Sequence, residues 1–373
     1  MKNKIYKKLG SYIELVLGRN NGASINKLMG ISTGKYFLPS IANTIGTNMS
    51  NYKVVRHNDF VYVPDTSRRG DKIAIAKYNE SESCIVSQAY TPFRVIDENE
   101  LDPDYLMMWF RRPEFDRYAR FHSHGSVREI FSWEEMCNVS LPIPDIDEQR
   151  KIVAEYQTIE KRIENNNRLI KVLEETAQNI YHHTFVENID PENLPEGWRV
   201  DGLKKIARIN MGQSPEGENL NIENEGDIFY QGRADFGTRF PSVRVYTTDA
   251  RKYAEKYDIL MSVRAPVGDL NVTRERCAIG RGIAAITPLK GFSFVYYTLL
   301  NQTEQFRKAN DEGTIFGSIG KDDLNELKII VPDEKSISEF NAKVRKLDCF
   351  IDSIDKENKI LLQIKDLLLS KLS

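Results

Sequence analysis

The chain is written twice. A block ending in Leu141-Pro142-Ile143-Pro144-Asp145 runs into a long heptad-patterned stretch, and a second block ending in Ile329-Ile330-Val331-Pro332-Asp333 runs into another. A sequence holding two copies of a variable head followed by a long helix folds into two similar units, and a duplicated enzyme would show two sets of reactive residues. We find two heads and no catalytic set.

The copies align position by position. Leu9, Tyr12, Leu15, Leu17 and Gly18 open the first block, and Leu203, Ile206, Ile209, Met211 and Gly212 open the second at a constant offset of 194. Asp59-Phe60-Val61 answers Asp258-Ile259-Leu260 at 199, Gly70-Asp71 answers Gly268-Asp269, and the strand from Cys84 answers the one from Cys277. Gly125-Ser126, Met136, Val139 and Pro144 match Gly313-Thr314, Leu324, Leu327 and Pro332 at 188. Drifting offsets in collinear order describe a kept scaffold whose loops gained and lost residues. Chance recurrence of turn residues is the alternative, and the order argues against it.

After Pro144-Asp145, with Asp145 or Asp147 placed to cap the first turn, Ile152, Tyr156, Ile159, Ile163, Asn166, Ile170, Leu173, Ala177 and Ile180 fall in steps of four and three. That seam predicts a rod of about 43 Å that wants a second helix along its length. Ile337, Phe340, Val344, Leu347, Ile351, Ile354, Leu361, Leu368 and Leu372 supply one, interrupted by Asn358 and Lys365. Intramolecular antiparallel pairing is favoured, because the second head intervenes between the two helices; homodimerisation is the alternative. Asn166 and Asn358 either fix register in the seam or fray toward water. Beyond Asn358, Ile360, Leu361, Leu362, Ile364, Leu367, Leu368 and Leu369 cover more than one face, which predicts a further partner.

With 40% hydrophobic and 28% charged side chains over 373 residues, the chain has enough material for two or three domains. It has no stretch of 18 apolar residues, and Met1-Lys2-Asn3-Lys4 lacks a signal-peptide core, so a cytoplasmic protein is expected. Cys84, Cys137, Cys277 and Cys349 show no paired spacing and are expected to be reduced and mostly buried. Residues 1–140 carry 19 Lys+Arg against 16 Asp+Glu, residues 141–200 carry 7 against 12, and residues 201–331 balance at 18 each. A protein that held DNA alone through many phosphates would be more basic, so a partner is expected to supply part of the grip.

Asp190-Pro191-Glu192-Asn193-Leu194-Pro195-Glu196-Gly197-Trp198 breaks helix between the first rod and the second head. This order of head, helix entry Asp147-Glu148-Gln149-Arg150-Lys151-Ile152, long helix, Leu194-Pro195-Glu196-Gly197-Trp198, second head and closing Asp366-Leu367-Leu368-Leu369-Ser370-Lys371-Leu372 resembles the DNA specificity subunit of type I restriction-modification systems. The first head departs from the pattern by lacking the Leu-Pro-x-Gly-Trp lead-in. The resemblance implies an α+β fold: a first target recognition domain over 1–143, a first spacer helix over 144–186, a linker over 187–199, a second recognition domain over 200–331 and a second spacer helix over 332–373. Each head would read one half of a split site on double-stranded DNA, and the antiparallel coiled-coil spacer would dock two methyltransferase subunits, which restriction-motor subunits join. S-adenosylmethionine, ATP and magnesium would belong to those partners, with no cofactor in this chain.

Base readers should be polar side chains on head loops, since these match donor and acceptor patterns in the major groove. In the first head the candidates are Arg19 and Asn20 after Gly18, Arg68 and Arg69 before Gly70, Gln88, and the loop of His122, Ser126 and Arg128. In the second they are Gln213 and Ser214 after Gly212, Gln231 and Arg233 around Gly232, Arg264, Arg281 and Thr314.

Catalytic readings fare worse. Gly313 to Lys321 superficially suggests a phosphate loop, but no glycine stands five residues before Gly320, and Asp322 replaces the Ser or Thr that would hold magnesium. His122-Ser123-His124 and His182-His183 have no third ligand nearby in sequence, so no metal site is expected. Asp145, Asp147 and Glu148 open a helix, where acids suit the dipole. No adenine-methylation loop or glycine-rich nucleotide fingerprint occurs, so no catalytic residue is assigned. A self-contained methyltransferase or restriction enzyme with unfamiliar motifs, and a coiled-coil scaffold that binds only proteins, are the competing readings.

Overall fold

The computed structural model describes residues 5–40, 47–67, 72–125, 129–311 and 317–372, with backbone only over 304–311. The chain divides into two compact units, Met1–Asn165 with Glu357–Ser373, and Asn166–Lys356. Each unit holds one head and part of both long helices.

The two heads share a build. In the first, strands Ile13–Leu15, Thr91–Val95, Phe60–Tyr62 and Ile75–Lys77 lie side by side in that order, all antiparallel. In the second, Ala207–Met211, Ile283–Pro288, Ile259–Ser262 and Leu270–Val272 repeat the order and the directions. A strap closes each head: Tyr6–Lys8 pairs with Ser140–Pro142, and Arg199–Gly202 pairs with Lys328–Val331. The turn before the third strand is also conserved between copies. Asp59 accepts from the Arg56 amide at 2.7 Å and Asp258 from the Glu255 amide at 2.8 Å. Burial pushes both carboxyls up, and these backbone amides pull against it.

The heads differ beside the central sheet. The first carries the hairpin Met29–Ile31 with Phe37–Pro39 and the pair Lys53–Val55 with Cys84–Val86. The second builds a five-stranded sheet from Leu220–Asn221, Val245–Thr247, Asp227–Tyr230, Cys277–Ile279 and Tyr253–Ala254. The rise of the offset from 194 to 199 falls across these insertions, between Gly18 and Asp59 and between Gly212 and Asp258. Cys84 and Cys277 occupy equivalent buried strands, Cys137 is half-buried, and Cys349 is exposed, which departs from the expectation for that residue.

The long helices are Ile146–Phe185 and Glu334–Ser370. At forty residues the first spans about 60 Å, longer than its apolar seam implied. Side chains off the seam or past its end bind the heads: Val153 joins the first-unit core, while Tyr181 and Phe185 join the second-unit core against Phe294 and Phe340. Every seam position expected on the first helix is buried or half-buried. In the first unit Glu160 meets Lys365 at 3.0 Å and Arg162 meets Glu357 at 2.9 Å. In the second, Tyr181 and Phe185 meet Phe340. In the first unit rising numbers on one helix face falling numbers on the other, and in the second Glu174 and Asp348 meet at Arg239 while Tyr181 and Phe185 meet Phe340, so in each unit the pairing is antiparallel and within one chain. Asn166 and Asn358 are 3% and 5% exposed, placing both in the seam.

The helix entries explain two sequence signatures. Asp145 caps the first helix, accepting from the Glu148 amide at 2.9 Å. The fully buried Gln149 accepts from the Asp102 amide at 2.9 Å and donates to the carbonyls of Glu100 and Pro144. The Asn341 amide does the same for the second head, bonding Lys290 O and the Phe294 amide. One amide on each long helix thus holds the start of the shorter helix of its head, Pro103–Arg111 or Phe292–Asp311. In the lead-in to the second head, Gly197 has φ of 80°, and Trp198 donates its indole N–H to Asp333 at 2.9 Å. Asp333 in turn caps the second helix.

The Ser336 hydroxyl and then its backbone amide, helped by Trp198, hold the Asp333 carboxyl down at about 2 from its ordinary 3.8. A carboxyl that ionises more readily folded than unfolded stabilises above its unfolded pKa, and that contribution vanishes as pH falls through the folded value. Melting temperature should therefore drop more steeply between pH 4 and pH 2 in the wild type than in Asp333→Asn. Equal slopes over that interval contradict the assignment.

Candidate nucleic-acid interface

Both heads pair the same two loops at one end of the central sheet. In the first, the Phe131 amide donates to Pro64 O at 2.9 Å and the Thr66 amide to Glu129 O at 3.0 Å. In the second, the Ile319 amide donates to Val263 O at 3.0 Å and the Ala265 amide to Gly317 O at 2.9 Å. These pairs obey the offsets of 199 and 188, so the correspondence read from sequence holds in the hydrogen bonds. Arg68, Arg69, Ser126, Arg128 and Thr314 lie outside the described residues, beyond the bases of these loops.

The remaining first-head candidates fall into two groups. Arg19 is exposed, bridges backbone with Lys53, and reaches Asn51 at 3.5 Å. Lys53 donates to Tyr90 O at 2.6 Å, closing the turn that presents exposed Gln88. Burial lowers the pKa of the Lys53 ammonium, and the neighbouring Arg19 charge adds to that. A pair of cations beside an exposed amide is suited to phosphate and base edges. Asn20 is different. It is 1% exposed, and its amide is committed to both backbone groups of Ile25 at 2.9 and 3.0 Å, so it shapes the loop that carries Arg19. The second group is His122, half-buried against the Tyr118 ring, with Nδ1 3.2 Å from Glu135.

In the second head the candidates are linked by contacts. The Arg281 amide donates to the Ser214 hydroxyl at 3.2 Å, and the Gln213 amide to Ile279 O at 2.9 Å. Glycines permit this closeness: a Cβ on Gly212 would lie 2.2 Å from Gly280 O, and one on Gly282 2.9 Å from Gln231 O. Gln231 and Gly232 both donate backbone amides to Asp235, which is 3% exposed and also receives Arg244. Arg233 pairs with Asp269, whose amide is held by the Ser262 hydroxyl at 2.9 Å. Arg264 is exposed and bridges backbone with Ser318. Gln213, Gln231, Arg233, Arg264 and Arg281 are all exposed along this run. Their chemistry suits hydrogen bonding to base edges and phosphates.

Sequence reasoning missed Lys53, Asp235 and Arg244. Lys53 is half-buried at the start of strand Lys53–Val55, and Arg244 is exposed just before strand Val245–Thr247, placements that only strand pairing reveals. Asp235 follows Gly232 by three residues, a turn-capping position whose signal is local and readable. Among the described residues, no group of three or more His, Cys, Asp or Glu could hold a metal. His124 pairs its backbone with Ile130, and His183 faces Glu187 at 2.9 Å.

Two repeated heads with polar loop ends, each mounted on a shared antiparallel helix pair, define a two-domain recognition protein. The chain belongs to the family of the type I restriction modification DNA specificity domain, which matches residues 4–175 and again 195–366. It is 29% identical over 280 residues to the putative type I restriction enzyme MjaX specificity subunit of Methanocaldococcus jannaschii. That match covers 70% of this chain and 65% of the relative, so the chain spans a little under two thirds of that protein. The HindI specificity subunit of Haemophilus influenzae is 21% identical, with 86% of each chain covered. Its fold is similar to the crystal structure of the type I restriction-modification S subunit from M. genitalium, with a TM-score of 0.55 at 17% identity, covering 100% of this chain and 97% of that one. No helix among the described residues is long and apolar enough to cross a membrane.

Because the Arg281 side chain is exposed while only its backbone amide is bonded to Ser214, Arg281→Ala should leave unfolding stability within about 0.5 kcal/mol of wild type. It should weaken specific DNA binding, measured by fluorescence anisotropy, by about 1–3 kcal/mol. Unchanged affinity across salt concentrations removes Arg281 from the interface.

Proposed function

We propose that this chain is the sequence-specific DNA-binding subunit of a type I restriction-modification complex, each head reading one half of a bipartite target. The observation that carries the proposal is the duplicated loop pairing: the hydrogen bonds of Pro64 and Thr66 recur at Val263 and Ala265, presenting two variable loop sets on one conserved frame. Loops set by a rigid scaffold are where recognition residues concentrate. Base and phosphate contacts come from Arg19, Gln88, Gln213, Gln231, Arg233, Arg264 and Arg281, and from Arg68, Arg69, Ser126, Arg128 and Thr314, which lie outside the described residues.

The chain serves its complex without catalysis of its own. Two methyltransferase subunits bring S-adenosylmethionine, and motor-nuclease subunits bring ATP and magnesium, in the cytoplasm where the DNA lies. Docking falls to the second long helix, where Ile360, Leu362, Ile364 and Leu367 are 57%, 47%, 40% and 53% exposed. Apolar side chains at that density favour a protein partner over water. Leu369 and Leu372 of the same run are already buried in the first-unit core.

Replacing residues 1–140 with the head of another family member, and mapping methylated adenines in cells carrying the complex, tests the reading. One half of the methylated motif should change and the other persist. Alteration of both halves, or no dependence of methylation on this chain, contradicts it.

A further inference from the structure

Arg239 is 2% exposed, yet it reaches both long helices. Its Nη1 donates to Glu174 Oε1 on the first helix at 2.8 Å, and its Nη2 to Asp348 Oδ1 on the second at 2.6 Å. The guanidinium lies 3.9 Å from the Tyr296 ring centroid and donates to the Tyr297 hydroxyl at 3.2 Å. Tyr296 donates to the same Glu174 oxygen at 2.8 Å, and Ser293 donates to Asp348. Arg274 repeats the arrangement from the turn after strand Leu270–Val272: it donates to Asp352 Oδ1 at 2.8 Å and to Asp355, and lies 3.6 Å from the Phe240 ring. Burial opposes the charge on Arg239, and Tyr296, Tyr297, Asp348 and Glu174 more than offset it, so the guanidinium stays ionised.

Both arginines belong to the head, and all four carboxylates belong to the helices. Asp348, Asp352 and Asp355 stand four and three residues apart, on one face of the second helix. Apolar packing would hold a head on a helix without favouring one angle. Planar guanidinium forks favour one geometry, because each hydrogen bond is directional. The first head is tied more simply: Arg111 donates to Glu160 at 2.7 Å, and Lys365 shares that carboxylate.

We propose that Arg239 and Arg274 are positioning residues that clamp the second head to the helix pair at one angle, and that this angle sets how strictly the gap between half-sites is measured. The inference rests on the DNA-reading function proposed above. A head held by fewer directional bonds tilts, and a tilting head accepts half-sites at neighbouring spacings.

The test uses the assembled complex with its methyltransferase subunits and S-adenosylmethionine, on duplexes whose half-sites are separated by the native gap or by one base pair less or more. Arg274→Met and the double variant Asp352→Asn/Asp355→Asn should raise methylation at the altered gaps, relative to the native gap, by about tenfold. Half-site sequence preference should stay unchanged. Exchanging the charges, Arg274→Asp with Asp352→Arg, should restore strictness. A native gap ratio in both folded variants overturns the clamp, as does an equal loss at every gap accompanied by a lower melting temperature. Wild-type complex that shows no gap dependence overturns the DNA-reading function and the clamp with it.

Discussion

A forty-residue helix with a single apolar stripe cannot stand alone in water, and everything else in this chain follows from how that stripe is covered. Pairing with the second long helix covers most of it, at Ile170, Ala177, Phe340, Val344, Ile351 and Ile354 in the second unit. The heads cover the rest. Val153 and Tyr156 are buried in a core with first-head aromatic residues, and Tyr181 and Phe185 in a core with second-head ones. Each head therefore shares one of its hydrophobic cores with the long helices in its unit, which is a firmer attachment than a flexible linker gives.

Polar contacts then decide orientation where apolar packing decides only proximity. Gln149 and Asn341 hold the start of each head's shorter helix, and Asp145 and Asp333 cap the long ones. Arg239 and Arg274 in one unit, and Arg111 in the other, join head to helix through carboxylates. Breaking a buried ion pair by removing one partner is costly, because the other charge is left without compensation. Orientation is the property that a protein measuring the distance between two half-sites has to control.

Much of this was legible in sequence, for identifiable reasons. The duplication could be read because its offsets are collinear, and the sheet order of both heads bears it out down to the turns of Asp59 and Asp258. The seam could be read because helix periodicity is strict where helix meets helix. Its apolar positions ran from Ile152 to Ile180 and passed over Val153, Tyr181 and Phe185, which pack in cores with head residues, because the heptad rule describes only helix partners. The candidate interface was less legible. Asn20 has the chemistry of a base reader, but its amide is turned inward to Ile25, and nothing in a loop sequence tells which way an amide turns. Arg239 resembled any other loop arginine, since its four partners come from residues far apart in the chain.

We propose that the helix pair sets the length of the DNA gap between the two half-sites. Inserting one heptad into each long helix, after Asn165 and after Lys356, lengthens each by about 10 Å while preserving the seam. Mapping the methylated motif of a complex carrying that chain measures the gap directly. The account predicts the two original half-site sequences separated by a longer gap. The original gap, methylated as efficiently as by the wild type, would contradict it.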